Sequence, residues 1–417
     1  MTVPAAPRLL VVTDADLGPT SRGAGRTLLN LLSGWPADAI RVITTTPDQP
    51  AADAHGHRIV DAGWRLPGGV RERLRPILGD TDAQAMAWCP LDATAIAGFS
   101  PEVLLVVPTS PAPLVLGERW AAELHIPSAT WLMDDWAQQY DSRWFTDSAR
   151  RTARRFLKTN AGWLVISDYL AEELRLWTGI SRPTCVVLNA VTIGDPPAAL
   201  TMPRTGRFRL RYAGTVWPMH ADALAVVARA VAARRMGGDD IELVLHTDER
   251  AWQQHEFLWR ETGTVFGGLV PYESLRGVLA DSDLLVVASS FEPAHARMSR
   301  SSVQTKITDY LATGRAILNV GPPDGACARF LRARNIALFV DEPNTVVAAD
   351  VLKRAIANRA ALAGIAGRGW DVCKRDHEIG AVPVHVGHQR RVSLGGVTWP
   401  DPDKSVPLDH RKTAYAG

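Results

Sequence analysis

The chain has 417 residues, 46% apolar and 22% charged, with a net charge of only +2, so nucleic acid is not expected as a partner: a phosphate-backbone reader carries a large basic excess. Its length exceeds what one core organises, so two domains are expected, and no apolar run reaches the roughly 20 residues that span a bilayer. The N-terminus MTVPAAPR lacks the form of a secretion signal, which makes cytoplasm the expected location, and the four cysteines (Cys89, Cys185, Cys327, Cys373) are too dispersed for a zinc or disulfide framework and are expected to be inert thiols.

Arg8–Thr13 is a short apolar run without polar alternation, followed by a Gly/Ser/Arg loop and the helical pattern Thr27–Leu32. Ile40–Thr44, Val103–Val107, Ala129–Met133 and Leu164–Ser167 repeat the strand signature, with helix-like stretches between. Short apolar strands alternating with helices predict a parallel sheet covered on both faces. Residues 189–207 are rich in Pro, Gly and Thr and have no period, so a linker is expected at 194–206, after a first domain of residues 1–193. The alternation restarts with Phe208–Ala213, a helix around Ala221–Arg235, Ile241–Leu245, Thr264–Phe266, a helix around Tyr272–Asp281, and Leu284–Ala288. This predicts a second parallel sheet over residues 207–379, and an aperiodic tail, 380–417, that can pack across the first domain.

The densest chemistry lies in residues 289–323, SSFEPAHARMSRSSVQTKITDYLATGRAILNVGPP. Ser301 or Ser302 as N-cap and Gly314 as stop predict one helix over 302–313. On it Val303, Ile307, Tyr310 and Leu311 share a core face, opposite Ser302, Thr305 and Asp309, with Lys306 at the edge. A helix N-terminus with a lysine suits a phosphate. A carboxylate one turn below can accept from the two hydroxyls of a ribose. Phosphate above and diol below describe a nucleoside diphosphate. A surface helix with a Lys–Asp pair at i, i+3 has the same local sequence. The position just beyond an apolar strand favours the binding reading.

This segment resembles the donor-binding region of GT-B glycosyltransferases, specifically retaining glycosyltransferase family 4. Ser289–Glu292 matches its Ser-x-x-Glu, and Thr308–Gly314 (TDYLATG) matches its acid-bearing helix and glycine stop. The resemblance implies an α/β, GT-B fold of two Rossmann-like parallel-sheet domains facing across a cleft. It also implies that Asp309 grips the donor ribose and that the amides of Thr305 and Lys306 hold the diphosphate. Tyr212–Thr215 resembles the glycine turn that opens the second domain, and Phe266–Gly268 with Tyr272 the turn that frames the base. The family places seven residues between its two acids, both glutamates; here sixteen separate Glu292 from Asp309, and Ser301 stands eight before Asp309. Glu292, His295 and Ser301 are the candidates for the donor sugar. The basic residues that the family carries after the glycine turn are missing from Val216–Ala221, which leaves Arg297, Arg300 and Lys306, with Ser302, Gly214 and Thr215, for the diphosphate.

In the first domain, Gly23 and Gly25 permit close approach of the backbone to a ligand, and the resemblance places them beside the donor phosphate. The third glycine and the acid of a dinucleotide fingerprint are missing, so no nicotinamide cofactor is expected. Trp131–Trp136 (WLMDDW) combines carboxylates with indoles, a mixture suited to sugars, although two acids can equally cap a helix. Asp134 and Asp135 are the acceptor-side catalytic candidates, with Lys306 as the donor-side one; Trp131, Met133 and Trp136 are the acceptor-binding candidates. Three Asp-x-Asp runs, at 14–16, 281–283 and 401–403, and the pairs His55/His57 and His385/His388, are read as structural or solvent-facing, and no metal is expected. Arg150, Arg151, Arg154, Arg155 and Lys158 form a basic stripe, with Phe156 and Leu157 inside, that fits either a solvated face or contact with an anionic lipid surface.

The resemblance implies a retaining transfer from a UDP- or GDP-linked sugar, without metal or other cofactor. The acceptor could be a small soluble metabolite, as in antibiotic biosynthesis, or a polysaccharide or glycolipid. A sugar-nucleotide epimerase and a non-catalytic nucleotide-sugar binder are the alternatives.

Overall fold

The structure, a computed structural model, describes residues 7–18, 21, 23–62, 69, 70, 73, 81–135, 151–195, 205–379, 391–394 and 397–400. Among them, β1 (Leu9–Thr13), β2 (Ile40–Thr44), β3 (Arg58–Asp61), β4 (Val103–Val107), β5 (Ser128–Leu132), β6 (Gly162–Val165) and β7 (Thr184–Val186) form one sheet. Its order is β3-β2-β1-β4-β5-β6-β7 and every pairing is parallel. β8 (Phe208–Ala213), β9 (Ile241–His246), β10 (Val265–Phe266), β11 (Leu284–Ala288), β12 (Ala316–Val320) and β13 (Ala337–Val340) form a second all-parallel sheet, ordered β10-β9-β8-β11-β12-β13. Both sheets start at a central strand, wind outward one way and then reverse, so each has a switch point at the carboxyl ends of its central strands, where ligands gather in such folds.

The sheets are covered on both faces, as their continuous apolar strands require. β4 and β11 are buried along their whole length. In the second domain, Leu284 and Val286 face the Pro218–Met236 and Thr345–Ala357 helices, while Leu285, Val287 and Ile317 face the Lys306–Ala312 and Arg359–Asp376 helices. After the Arg359–Asp376 helix the chain returns to the end of the first domain, where the Val191 amide donates to the His377 carbonyl at 2.9 Å and the Ile379 amide to the Val191 carbonyl at 3.0 Å. A hairpin of β14 (Arg391–Leu394) and β15 (Val397–Pro400) lies beside β7.

Several expectations are corrected. Residues 302–313 are not one helix. The Ala296–Ser301 helix comes first, Ser302 is its extended C-cap, and a second helix runs from Lys306 to Ala312. The apolar face was read correctly, since Val303, Ile307, Tyr310 and Leu311 are all buried, and Gly314 ends the segment at φ 65°. Strands β3, β7, β12 and β13 were not foreseen; β3 and β7 are edge strands with half-exposed residues, and β12 carries Asn319 inside an apolar run. His57 does not face solvent: it is fully buried, with Nδ1 2.8 Å from the Asp53 carboxylate. Cys89, Cys327 and Cys373 are buried free thiols.

Candidate functional site

The carboxyl ends of the two sheets face each other, and three first-domain loops reach the second domain there. After β5, Asp134 accepts from the Ser302 hydroxyl at 2.5 Å. After β6, the Ser167 hydroxyl donates to the Ser301 carbonyl. After β7, the Asn189 side-chain amide donates to the Thr305 carbonyl at 3.4 Å and to Asp309 Oδ2 at 3.2 Å. All three grip the segment between β11 and β12.

Lys306 begins the second helix of that segment and points back to the β8 turn. Its ammonium lies 3.8 Å from the Tyr212 ring centre, and a Cβ on Gly214 would stand 3.0 Å from Nζ. Gly214 sits at φ 129°, a conformation in which a side chain would be strained. The Tyr212 hydroxyl donates to the Thr215 carbonyl at 2.9 Å, and His220 Nδ1 lies 3.0 Å from that hydroxyl. Burial, helped by the charge of Lys306, pushes the His220 pKa down to about 3, so His220 is neutral. Loss of water likewise pushes Lys306 down to about 7.

Asp309 lies one turn along. Its Oδ1 accepts from the Tyr272 hydroxyl at 2.9 Å. Burial raises its pKa to about 6, against the lowering effect of Tyr272, Arg276 and Arg26. One short helix at a switch point thus carries both an ammonium, against Tyr212, and a carboxylate, against Tyr272 and Asn189. A diphosphate would be counter-ion to the first, and a ribose diol a hydrogen-bond partner of the second.

Other candidates are placed differently. Arg297 is engaged across the domain boundary: its Nε lies 2.7 Å from Asp135 and 3.3 Å from Glu173, both in the first domain. Arg300 is exposed, and its carbonyl accepts from Arg329. Ser301 is buried and its hydroxyl donates to the Arg297 carbonyl, which closes it inside its own helix. Glu292 is exposed, whereas His295 is half-buried with Nδ1 3.1 Å from the Ser290 hydroxyl. Trp131 is no acceptor platform: strand alternation turns it into the core, where Nε1 donates to the Val187 carbonyl at 3.3 Å. Met133 is buried in the same core, and Trp136 lies outside the described residues.

Gly23 sits at φ 52° at the start of the Ala24–Leu32 helix. Gly25 lets that helix press on the preceding loop, since a Cβ there would come within 1.8 Å of the Asp16 carbonyl oxygen. Asp134 is pushed up to about 6 by burial, with Ser302 opposing the rise and Asp135 adding to it. Asp14 accepts from the Thr109 amide at 2.6 Å, and Asp281 pairs with Arg209 and Arg211, so both acids have structural partners. Among the described residues no group of His, Cys, Asp and Glu could hold a metal ion. The stripe residues Arg151, Arg154, Arg155 and Lys158 are exposed and Phe156 and Leu157 buried; Arg155 pairs with Glu118 at 2.9 Å, and Arg150 is outside the described residues.

Sequence reasoning missed Asn30, Asn189, Ser167 and Glu173. Asn30 did carry a signal. It interrupts the run Leu28-Leu29-Asn30-Leu31-Leu32, and an asparagine on a buried helix face needs a partner.

No family model and no curated protein matches the sequence. Solved structures match along most of the chain. A structure titled Anabaena Alr3699/HepE in complex with UDP is 13% identical, with a TM-score of 0.65 over 91% of this chain and 98% of that one. Sucrose-phosphate synthase from Thermosynechococcus elongatus is 15% identical, with a TM-score of 0.66 over 91% and 97%. The Escherichia coli structure titled trehalose-6-phosphate, bound with UDP-2-fluoro glucose, is 12% identical, with a TM-score of 0.59 over 89% and 96%. What this chain shares with them is the fold: two Rossmann-like parallel-sheet domains in the GT-B arrangement.

Proposed function

We propose that this chain is a glycosyltransferase that moves a sugar from a UDP-linked donor to an acceptor with retention of configuration. The observation that carries this reading is that one short helix at the second domain's switch point carries both Lys306, over the Tyr212 ring, and Asp309, held by Tyr272. Among the described residues no carboxylate pairs with Lys306, so a diphosphate would complete its charge. The similar folds bound to UDP or a UDP-sugar favour uridine over guanosine.

No protein nucleophile is needed. The diphosphate leaves while Lys306 and the amides of Thr305 and Lys306 at the start of its helix hold the developing charge. A diphosphate oxygen takes the acceptor proton on the face that the diphosphate leaves. Asp134, dehydrated and facing the cleft segment through Ser302, orients the acceptor hydroxyl; Asp135 is held by Arg297 and acts as a tie between the domains. Neither metal nor another cofactor takes part in this scheme. We infer a small soluble acceptor, and a cytoplasmic site of action, because among the described residues no helix is long and apolar enough to cross a membrane. A lipid-linked or polysaccharide acceptor would instead use the exposed basic stripe.

Ser301 supports a second reading. The buried serine leaves the transferred sugar without the family's first carboxylate, which favours a non-catalytic nucleotide-sugar binder; an epimerase on the same fold is the other alternative. Chromatography of UDP-glucose, UDP-galactose and UDP-N-acetylglucosamine incubated with the protein and an acceptor panel separates these readings. Acceptor-dependent release of UDP, with an α-glycosidic coupling in the product, supports retaining transfer. Interconversion of sugar nucleotides indicates epimerisation, and unchanged donors with bound UDP indicate a binder.

A further inference from the structure

Asn30 lies in the Ala24–Leu32 helix of the first domain, yet its side-chain amide donates to two groups at the donor site. One is the Asn189 side-chain oxygen Oδ1 at 3.1 Å; the other is the Tyr272 hydroxyl at 3.2 Å. Each partner in turn donates to Asp309, Tyr272 to Oδ1 at 2.9 Å and Asn189 to Oδ2 at 3.2 Å. The four side chains form a closed ring with Asp309 at the cleft end and Asn30 at the far end. Asn30 and Asn189 are buried, so the ring sits in a setting where an unmade hydrogen bond is costly.

We propose that Tyr272 and the first-domain residue Asn30 are positioning residues for ribose selection, acting through Asp309. This rests on the reading of Asp309 as the ribose-binding carboxylate. A carboxylate on a single-bonded stem rotates freely unless both oxygens are tied. Here each oxygen accepts one bond from the ring and keeps a lone pair for a ribose hydroxyl. Asn30 fixes the two donors in turn, since one amide feeds both. The first domain therefore selects the ribose without touching it, and that selection exists only while the two domains are closed on each other. Arg26, with its guanidinium 4.5 Å from the Tyr272 ring centre, holds that ring from the first-domain side as well.

The test is calorimetric titration of UDP, 2′-deoxy-UDP and 3′-deoxy-UDP into the full chain and into Tyr272→Phe and Asn30→Ala, with each variant's fold checked by circular dichroism. The wild type should prefer UDP over at least one deoxy form by about tenfold, the factor commanded by one hydrogen bond to a carboxylate. Tyr272→Phe should weaken UDP about tenfold, leave that deoxy form nearly unchanged, and so erase the preference. Asn30→Ala should move the ratio the same way from the opposite domain. A purely structural role would weaken all three ligands equally; that result, or an unchanged ratio in both variants, overturns the inference while leaving Asp309 as ribose ligand. Failure of UDP to bind the wild type overturns the donor-site reading and this inference with it.

Discussion

The Lys306 ammonium lies 3.8 Å from the centre of the Tyr212 ring and against Gly214, where an added Cβ would stand 3.0 Å from Nζ. Burial takes water from the ammonium, and the ring face attracts it without supplying a counter-charge, so the lysine keeps its charge only weakly. Its pKa near 7 gives the site a pH signature. Below that value Lys306 is charged, and above it the charge is lost in the free protein. UDP affinity should therefore fall as pH rises from 7 to 9, and binding near pH 8 should take up a proton, visible as a dependence of the calorimetric heat on buffer ionisation. Lys306→Arg should flatten this limb, because a guanidinium stays charged. Lys306→Ala should lower UDP affinity by about 10- to 100-fold at pH 6.5.

Gly25 should tolerate no side chain. A Cβ 1.8 Å from the Asp16 carbonyl oxygen forces the Ala24–Leu32 helix away from the loop. Gly25→Ala should cost about 2 kcal/mol or more. Gly34→Ala is the control, since no atom lies within 4 Å of its added carbon. Urea unfolding of the two variants measures the difference.

Arg297 clasps the buried Asp135 across the domain boundary. Arg297→Ala removes this charge-assisted contact between the domains and should destabilise the protein by about 2 kcal/mol. Asp135→Asn should cost less in the Arg297→Ala background than in the wild type, because the contact is already lost. Chemical denaturation of the single and double variants measures the coupling.

The buried His57–Asp53 pair predicts an acid response. Burial raises the Asp53 pKa, but the His57 ring and the amides of His55 and His57 outweigh it and hold the carboxyl below its ordinary value of 3.8. Because the folded pKa is the lower one, its contribution is present above the unfolded value and lost as pH falls through the folded one. Asp53→Asn should flatten the loss of stability on acidification below about pH 4, as thermal melts across that range would show.

Much of the fold was legible because its strands are apolar on both faces. Ile40–Thr44, Val103–Val107, Phe208–Ala213 and Leu284–Ala288 run from end to end as read from the sequence. The edge strands escaped because exposure removes their apolar signal. At the site, helical periodicity placed Tyr310 and Leu311 in the core and Asp309 opposite them. It could not show that the chain straightens at Ser302, because Ser302 bonds to Asp134, 168 residues away in sequence. The partners of Arg297 were invisible for the same reason: Asp135 and Glu173 belong to the other domain. Trp131 was read as an acceptor-binding indole although its own strand was expected to be covered on both faces, and that cover is what buries it.

The central claim is that a nucleoside diphosphate binds where Lys306 and Asp309 meet. Titration of UDP into the wild type and Asp309→Ala by calorimetry tests it most directly. Binding to the wild type, weakened about 10-fold or more by the substitution, is the predicted result. Equal affinity in both proteins, or no binding to the wild type, would contradict it.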